Sequence, residues 1–249
     1  MIALIRSEWL KLRTVRSNIT MAFFAVTLPL AITLLTMVFI DVDSVDDATV
    51  SVLLLGSGSL SVLLFGIIGV LAITQEYSQG TIRLTLAANP RRIRAYVAKG
   101  IVLTFLSGGL AAFIILVGNT AGVAILDSRD AVGKLSNGDM GQAYLALIVM
   151  SILVSLLGMA IGTLTRNPTS AVTVLVLWPL LLEPLIDELL KKVIGVQIIK
   201  GLPFQTGLNS LRLEDSDMDF GRWGSVGYFG LWILAVSLFA LARFKRRDA

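Results

Sequence analysis

The sequence predicts an all-α integral membrane protein: an N-terminal interfacial amphipathic helix, six transmembrane helices, and short extracellular helices between spans five and six. Three observations predict it. Hydrophobic residues make up 55% of the 249 and charged residues only 15%, against about 25% charged in soluble domains, so a soluble fold would lack the polar surface to cover its core. Several apolar runs reach the length, roughly 18–20 residues, that spans a hydrocarbon layer about 30 Å thick, and mean hydropathy is +0.83. The remaining charges collect between these runs and at the two ends. The whole chain, residues 1–249, reads as a single transmembrane domain.

Residues 1–16 (MIALIRSEWLKLRTVR) place Ile2, Ile5, Trp9 and Leu12 at helical spacing on one face, with Arg6, Lys11 and Arg13 off it. A basic helix with a tryptophan on its apolar stripe suits a position flat beside anionic headgroups. Trp9, Lys11 and Arg13 are its candidate contacts with membrane lipid. The next apolar run is too long for a signal peptide and has no small-residue cleavage site after it, so it reads as an uncleaved first span.

Spans are expected at 19–40, 50–73, 100–126, 142–164, 169–186 and 224–242. The first carries Pro29, which a spanning helix tolerates. An acidic loop follows, with Asp41, Asp43, Asp46 and Asp47 and no cation. The loop after span three holds Asp127, Asp130 and Asp139, and Thr165-Arg166-Asn167-Pro168 reads as a tight turn between spans four and five. In the long loop 187–223, Leu185, Leu189, Val193 and Val196 predict short helices at the outer face that end near Gly201-Leu202-Pro203. The LEDSDMD run, Leu213 to Asp219, reads as a solvated loop. Glu183 lies near the outer end of span five, between Pro179 and Pro184. A carboxylate at membrane depth is a functional candidate by default; the preferred reading is that the span has ended and Glu183 sits at the interface. Pro29, Pro179 and Glu183 are the candidate path or gate residues.

Lysine and arginine asymmetry sets the orientation. With the N-terminus inside, 14 of the 21 cations and 3 of the 17 carboxylates are cytoplasmic, leaving +11 inside and −7 outside. The expectation is a multi-pass protein of the plasma (inner) membrane with both termini cytoplasmic. The pI near 9.6 then follows from topology, and no nucleic-acid partner is expected.

The longest inner polar stretch is the segment 74–99. Span two continues through Thr74-Gln75-Glu76-Tyr77, and Gly80 permits a sharp change of direction. Thr81 can cap a new helix, TIRLTLAA, which Asn89-Pro90 stops. Arg91, Arg92 and Arg94 then precede span three. The product is a short helix across the membrane face, held at both ends by spanning helices. Glu76-Tyr77-x-x-Gly80-Thr81-Ile82-Arg83, followed by Pro90, a basic cluster and Lys99, closely resembles the cytoplasmic coupling segment of ABC type-2 permeases, and the layout of the whole chain resembles theirs. The resemblance implies a second permease, identical or not, and ABC ATPase subunits docked on the interfacial helix and on the segment after Glu76. Glu76, Tyr77, Gly80, Thr81 and Arg83 are the positions it implies for ATPase coupling.

The chain has no His and no Cys, which excludes disulfides, thiolate nucleophiles, the usual zinc sites and Ser-His-Asp chemistry. It has no G-x-x-x-x-G-K-[ST] phosphate loop. Leu106-Ser107-Gly108-Gly109-Leu110 looks like the start of an ATPase signature but lies inside span three, where small residues pack helices. The chain is therefore expected not to be an enzyme and to bind no cofactor, with ATP and magnesium on the partner ATPase. Gly118-x-x-x-Gly122 and Gly158-x-x-x-Gly162 let helices approach closely, within the chain or at a dimer seam. The leading function is an exporter permease for an amphipathic substrate: a drug, lipid or antimicrobial peptide. The rivals are a non-transporting six-span scaffold or sensor and an intramembrane enzyme; the last would need a carboxylate pair in the membrane, where only Glu183 comes near.

Overall fold

A computed structural model describes residues 1–41, 49–82, 92–129, 140–194, 201–212 and 220–246. The elements are α1 (Ile2–Thr14), α2 (Arg16–Phe39), α3 (Thr49–Ser78), α4 (Arg92–Asp127), α5 (Met140–Thr165), α6 (Pro168–Leu177), a π-helical turn (Trp178–Leu182), α7 (Glu183–Ile194), α8 (Pro203–Asn209) and α9 (Gly221–Arg246). There is no strand among the described residues. Six helices are long and apolar enough to cross a membrane, the fifth running from Pro168 to Val193. The chain is a multi-pass membrane protein.

Helices α3 and α5 form the centre. In their most apolar windows 56% and 61% of residues are buried, against 22–33% in the other four spans. Glycines allow the two backbones to touch. A Cβ on Gly69 would lie 1.9 Å from the Ser155 carbonyl oxygen, and one on Gly158 would lie 2.0 Å from that of Gly66. Gly118 and Gly122 instead receive the side chains of Leu54 and Met37. Both spaced glycine pairs therefore pack within the chain. Small hydroxyls add bonds between neighbours: Thr33 and Ser57 share a buried hydrogen bond of 2.7 Å, and Ser61 donates to the Ala25 carbonyl at 2.9 Å. The Ser107-Gly108 step is buried inside α4, and Ser107 donates to its own helix at Leu103.

The helices outrun the apolar stretches that announce them. α3 continues to Ser78 and α4 begins at Arg92, so much of the segment 74–99 is two helix ends rather than a loop. Hydropathy marks the apolar part of a helix, whereas the helix itself runs on until a breaker stops it. Gly80, at φ +68, ends α3 in the left-handed geometry that glycine adopts most easily. The rest of the expected TIRLTLAA helix beyond Ile82, its Asn89-Pro90 stop and Arg83 lie outside the described residues. So do Asp43, Asp46, Asp47, Asp130, Asp139, Val196 and the LEDSDMD run.

The fifth span departs furthest from expectation. It does not end at 186: the helix passes through Glu183 to Ile194. Pro179 falls in the π-helical turn, where the Glu183 N–H donates to the Trp178 carbonyl. Such a turn lets a helix continue past a proline. The short helix α8 starts at Gly201-Leu202-Pro203 rather than ending there, with Pro203 in its first turn. The tight turn between α5 and α6 is present. Arg166 adopts φ +58 and the Asn167 side chain accepts the Ser170 N–H at 3.2 Å.

Candidate functional site

At one end of the bundle α1 folds back against α2, α3 and α4. Val15 makes the bend as a single extended residue (φ −80, ψ 118) between two helices. Leu12 is buried in a cluster with Phe65, Ile68, Ile82, Tyr96 and Phe244. The face of α1 that docks carries Glu8 and Leu12. Ile2 and Trp9 of the expected apolar stripe stay 84% and 43% exposed. Ile5 of the same stripe packs against that cluster, so the docked face joins part of the apolar stripe to Glu8, whose partners lie inside.

Those partners make the site. Lys11 Nζ lies 2.7 Å from Glu8 Oε1 and 2.9 Å from Glu76 Oε1. Lys99 Nζ lies 3.0 Å from Glu76 Oε1 and also bonds Glu8 Oε2. Glu8, Glu76 and Lys99 are buried, at 1%, 7% and 4% exposure. Two carboxylates and two ammonium groups cancel, which is what allows them to leave water together. The second oxygen of Glu76, Oε2, is buried and has no partner among the described residues. At Lys11, burial favours loss of the proton, but the hydrogen bonds and charges of Glu8 and Glu76 outweigh it and hold the pKa above the usual 10.5.

Around this cluster other ends converge. The Arg166 guanidinium, from the α5–α6 turn, lies over the Tyr77 ring at 5.0 Å. Arg92 donates to the Phe244 carbonyl of α9 at 3.4 Å, and the Tyr96 and Phe244 rings are 5.9 Å apart. Gln75 donates to the Ser17 hydroxyl at the start of α2 at 2.5 Å. The Thr81 hydroxyl donates back to the Glu76 carbonyl at 3.5 Å.

Of the residues singled out from the sequence, Glu76, Tyr77, Gly80, Thr81 and Lys11 come together here. Trp9 and Arg13 stay on the open side of α1, and Arg83 lies outside the described residues. Pro29 and Pro179 are buried within the chain. Glu8 carries no expectation from the sequence, and Lys99 enters there only as the position that closes the motif after the basic cluster. One signal existed: Glu8 is the sole carboxylate of a basic helix and stands four residues before Leu12.

Glu183 is fully buried, not at an open interface. Its carboxylate accepts the Phe204 and Gln205 N–H groups, both at 2.9 Å, and the Trp178 indole N–H at 3.0 Å. It therefore caps the N-terminus of α8, where a negative charge is favourable. Among the described residues no group of three Asp or Glu converges to hold a metal ion.

Residues 20–249 match the family described as "Protein of unknown function (DUF2705)". The chain belongs to this DUF2705 family. A comparison with curated proteins gives no match. The DUF2705 match covers Glu76, Lys99 and Glu183, and begins after α1 with its Glu8 and Lys11.

Proposed function

We propose that the chain is the permease subunit of an ATP-binding-cassette exporter, paired with a second permease and driven by separate ATPase subunits that bind ATP and magnesium. The observation that carries this reading is the buried ionic joint of Glu8, Lys11, Glu76 and Lys99. It ties a surface helix to the end of one spanning helix and the start of the next. A force on α1, or on the segment between α3 and α4, passes directly into both spans, as a coupling device requires. The Glu76-to-Arg83 motif and the charge asymmetry support the same reading. In this reading, this end of the bundle and both termini lie on the cytoplasmic side of the plasma (inner) membrane.

In this reading the chain carries out no chemistry. Its exposed Trp9 and Arg13 meet lipid, and the segment around Gly80, Thr81 and Arg83 meets the ATPase. Charged pairs there would set docking register and rate more than affinity. Pro29, Pro179 and Glu183 remain the candidate path or gate positions, and the sparse polar side chains of the spans favour an amphipathic substrate.

The test is co-purification with a stand-alone ATP-binding subunit, sought first in an adjacent gene, followed by ATPase assay in liposomes. Substituting Arg83 with alanine, or Glu76 with glutamine, should cut ATPase stimulation while membrane insertion is unchanged. Unaltered stimulation in both variants overturns the coupling role. A complex that forms but moves no substrate leaves the scaffold or sensor reading in its place.

A further inference from the structure

A groove of about 390 Å³ opens between α1, α2 and α4. Its walls are apolar, with Phe23, Val26, Leu106 and Leu110 along its length and Arg13 and Asn18 at the α1–α2 bend. Asn18 is 4% exposed, and its side-chain oxygen is buried with no partner among the described residues. An unsatisfied buried acceptor costs free energy unless something donates to it. The Thr27 hydroxyl, also on the groove, already donates to the Phe23 carbonyl.

The same bend is strongly positive. Arg13 and Arg16 are exposed on either side of Val15, and neither forms an ion pair among the described residues. Helix α2 starts there without a side-chain cap; the Asn18 N–H already donates to the Val15 carbonyl at 3.1 Å, which leaves the Arg16 and Ser17 N–H groups of the first turn for an anion. Cationic side chains and two N–H groups lie at the mouth of an apolar groove, and the orphan acceptor is buried in its wall.

We propose that this groove binds a single anionic phospholipid with a hydroxyl-bearing headgroup, of the phosphatidylglycerol type. Its phosphate meets Arg13 and the start of α2. A headgroup hydroxyl donates to Asn18 Oδ1. One acyl chain lies along Phe23, Val26, Leu106 and Leu110. Each feature selects: a free phosphate would leave the apolar walls uncovered, a choline headgroup has no donor for Asn18, and a zwitterionic lipid leaves the arginines less well matched. The site is built from this chain alone and does not depend on the permease reading.

The full chain, purified in detergent and examined by native mass spectrometry, should retain about one phosphatidylglycerol per copy and no phosphatidylcholine. Arg13→Gln should weaken retention on the order of tenfold, the usual worth of one charge-assisted hydrogen bond. Val26→Trp, which fills the groove, should abolish retention while the protein stays monodisperse. Asn18→Leu should erase the preference for phosphatidylglycerol over phosphatidic acid, which carries the phosphate without the glycerol hydroxyls. Equal retention of phosphatidylcholine, or undiminished phosphatidylglycerol in Val26→Trp, overturns the proposal. So does displacement of the lipid by an equal concentration of inorganic phosphate, which would make the site one for a free anion. If Asn18→Leu does not fold, the Arg13 and Val26 variants still decide.

Discussion

Lys99 binds carboxylates from two different helices, Glu8 of α1 and Glu76 of α3. Lys99→Met strands two buried carboxylates against one remaining ammonium, and removing one partner from a buried ionic group costs about 3–5 kcal/mol. The thermal midpoint in detergent should fall accordingly. Adding Glu8→Gln restores a neutral cluster, so the double variant should recover part of the loss; a double variant no better than the single would show that the two groups are not coupled. Lys11 makes a pH prediction. Its folded pKa is raised above 10.5, so its contribution is fully present below 10.5 and is lost as pH rises through the folded value. Limited proteolysis should therefore find α1 equally protected from neutral pH up to about that point and more exposed beyond it. In Lys11→Met this alkaline step should shrink.

The contact between α3 and α5 is set by backbone against backbone, which leaves no room for a methyl group. Gly69→Ala places a carbon against the Ser155 carbonyl, an atom that no rotamer change can move aside. We expect a loss of at least about 1–3 kcal/mol, the usual cost of overpacking, read as a lower thermal midpoint. Gly56→Ala on the same helix meets nothing within 4 Å and should be neutral to mildly stabilising, by up to about 1 kcal/mol, since alanine is the better helix former; the opposite signs separate packing from helix propensity. On the far side of the chain, Glu183→Ala removes the acceptor for Trp178, Phe204 and Gln205. The expected result is loosening confined to α8, seen as faster thiol labelling of a cysteine placed at Gln205 with the rest of the bundle unchanged. Labelling that does not change would show that α8 is held by its packing alone.

For the molecule as a whole, the charge asymmetry makes a topological prediction. Cysteines introduced at Asp46 and Asp217 should react with an impermeant reagent from outside, and one at Ser78 should not; the reverse pattern would invert the protein and move its proposed coupling end to the wrong face. Much of the architecture was legible beforehand. The number of long apolar helices, six, was legible, because each must supply a membrane's length of apolar residues. The turn at Gly80 and the one at Arg166-Asn167 were legible from residue type. The continuation of the fifth helix through Pro179 and Glu183 was not, because prolines and a carboxylate read as an ending unless the π-helical turn and the cap of α8 are known.

Apolar length alone determines a helical chain with six helices long and apolar enough to cross a membrane, since it acts locally along the sequence. Which charges meet is a different matter. Glu8, Glu76 and Lys99 are separated by 91 positions at the widest, and no periodicity links a carboxylate in α1 to a lysine in α4. Their pairing, the docking of α1 that it accompanies, and the groove with its unpartnered Asn18 Oδ1 exist only once the helices are packed. Packing decides which polar groups lose water, and burial makes a pairing obligatory.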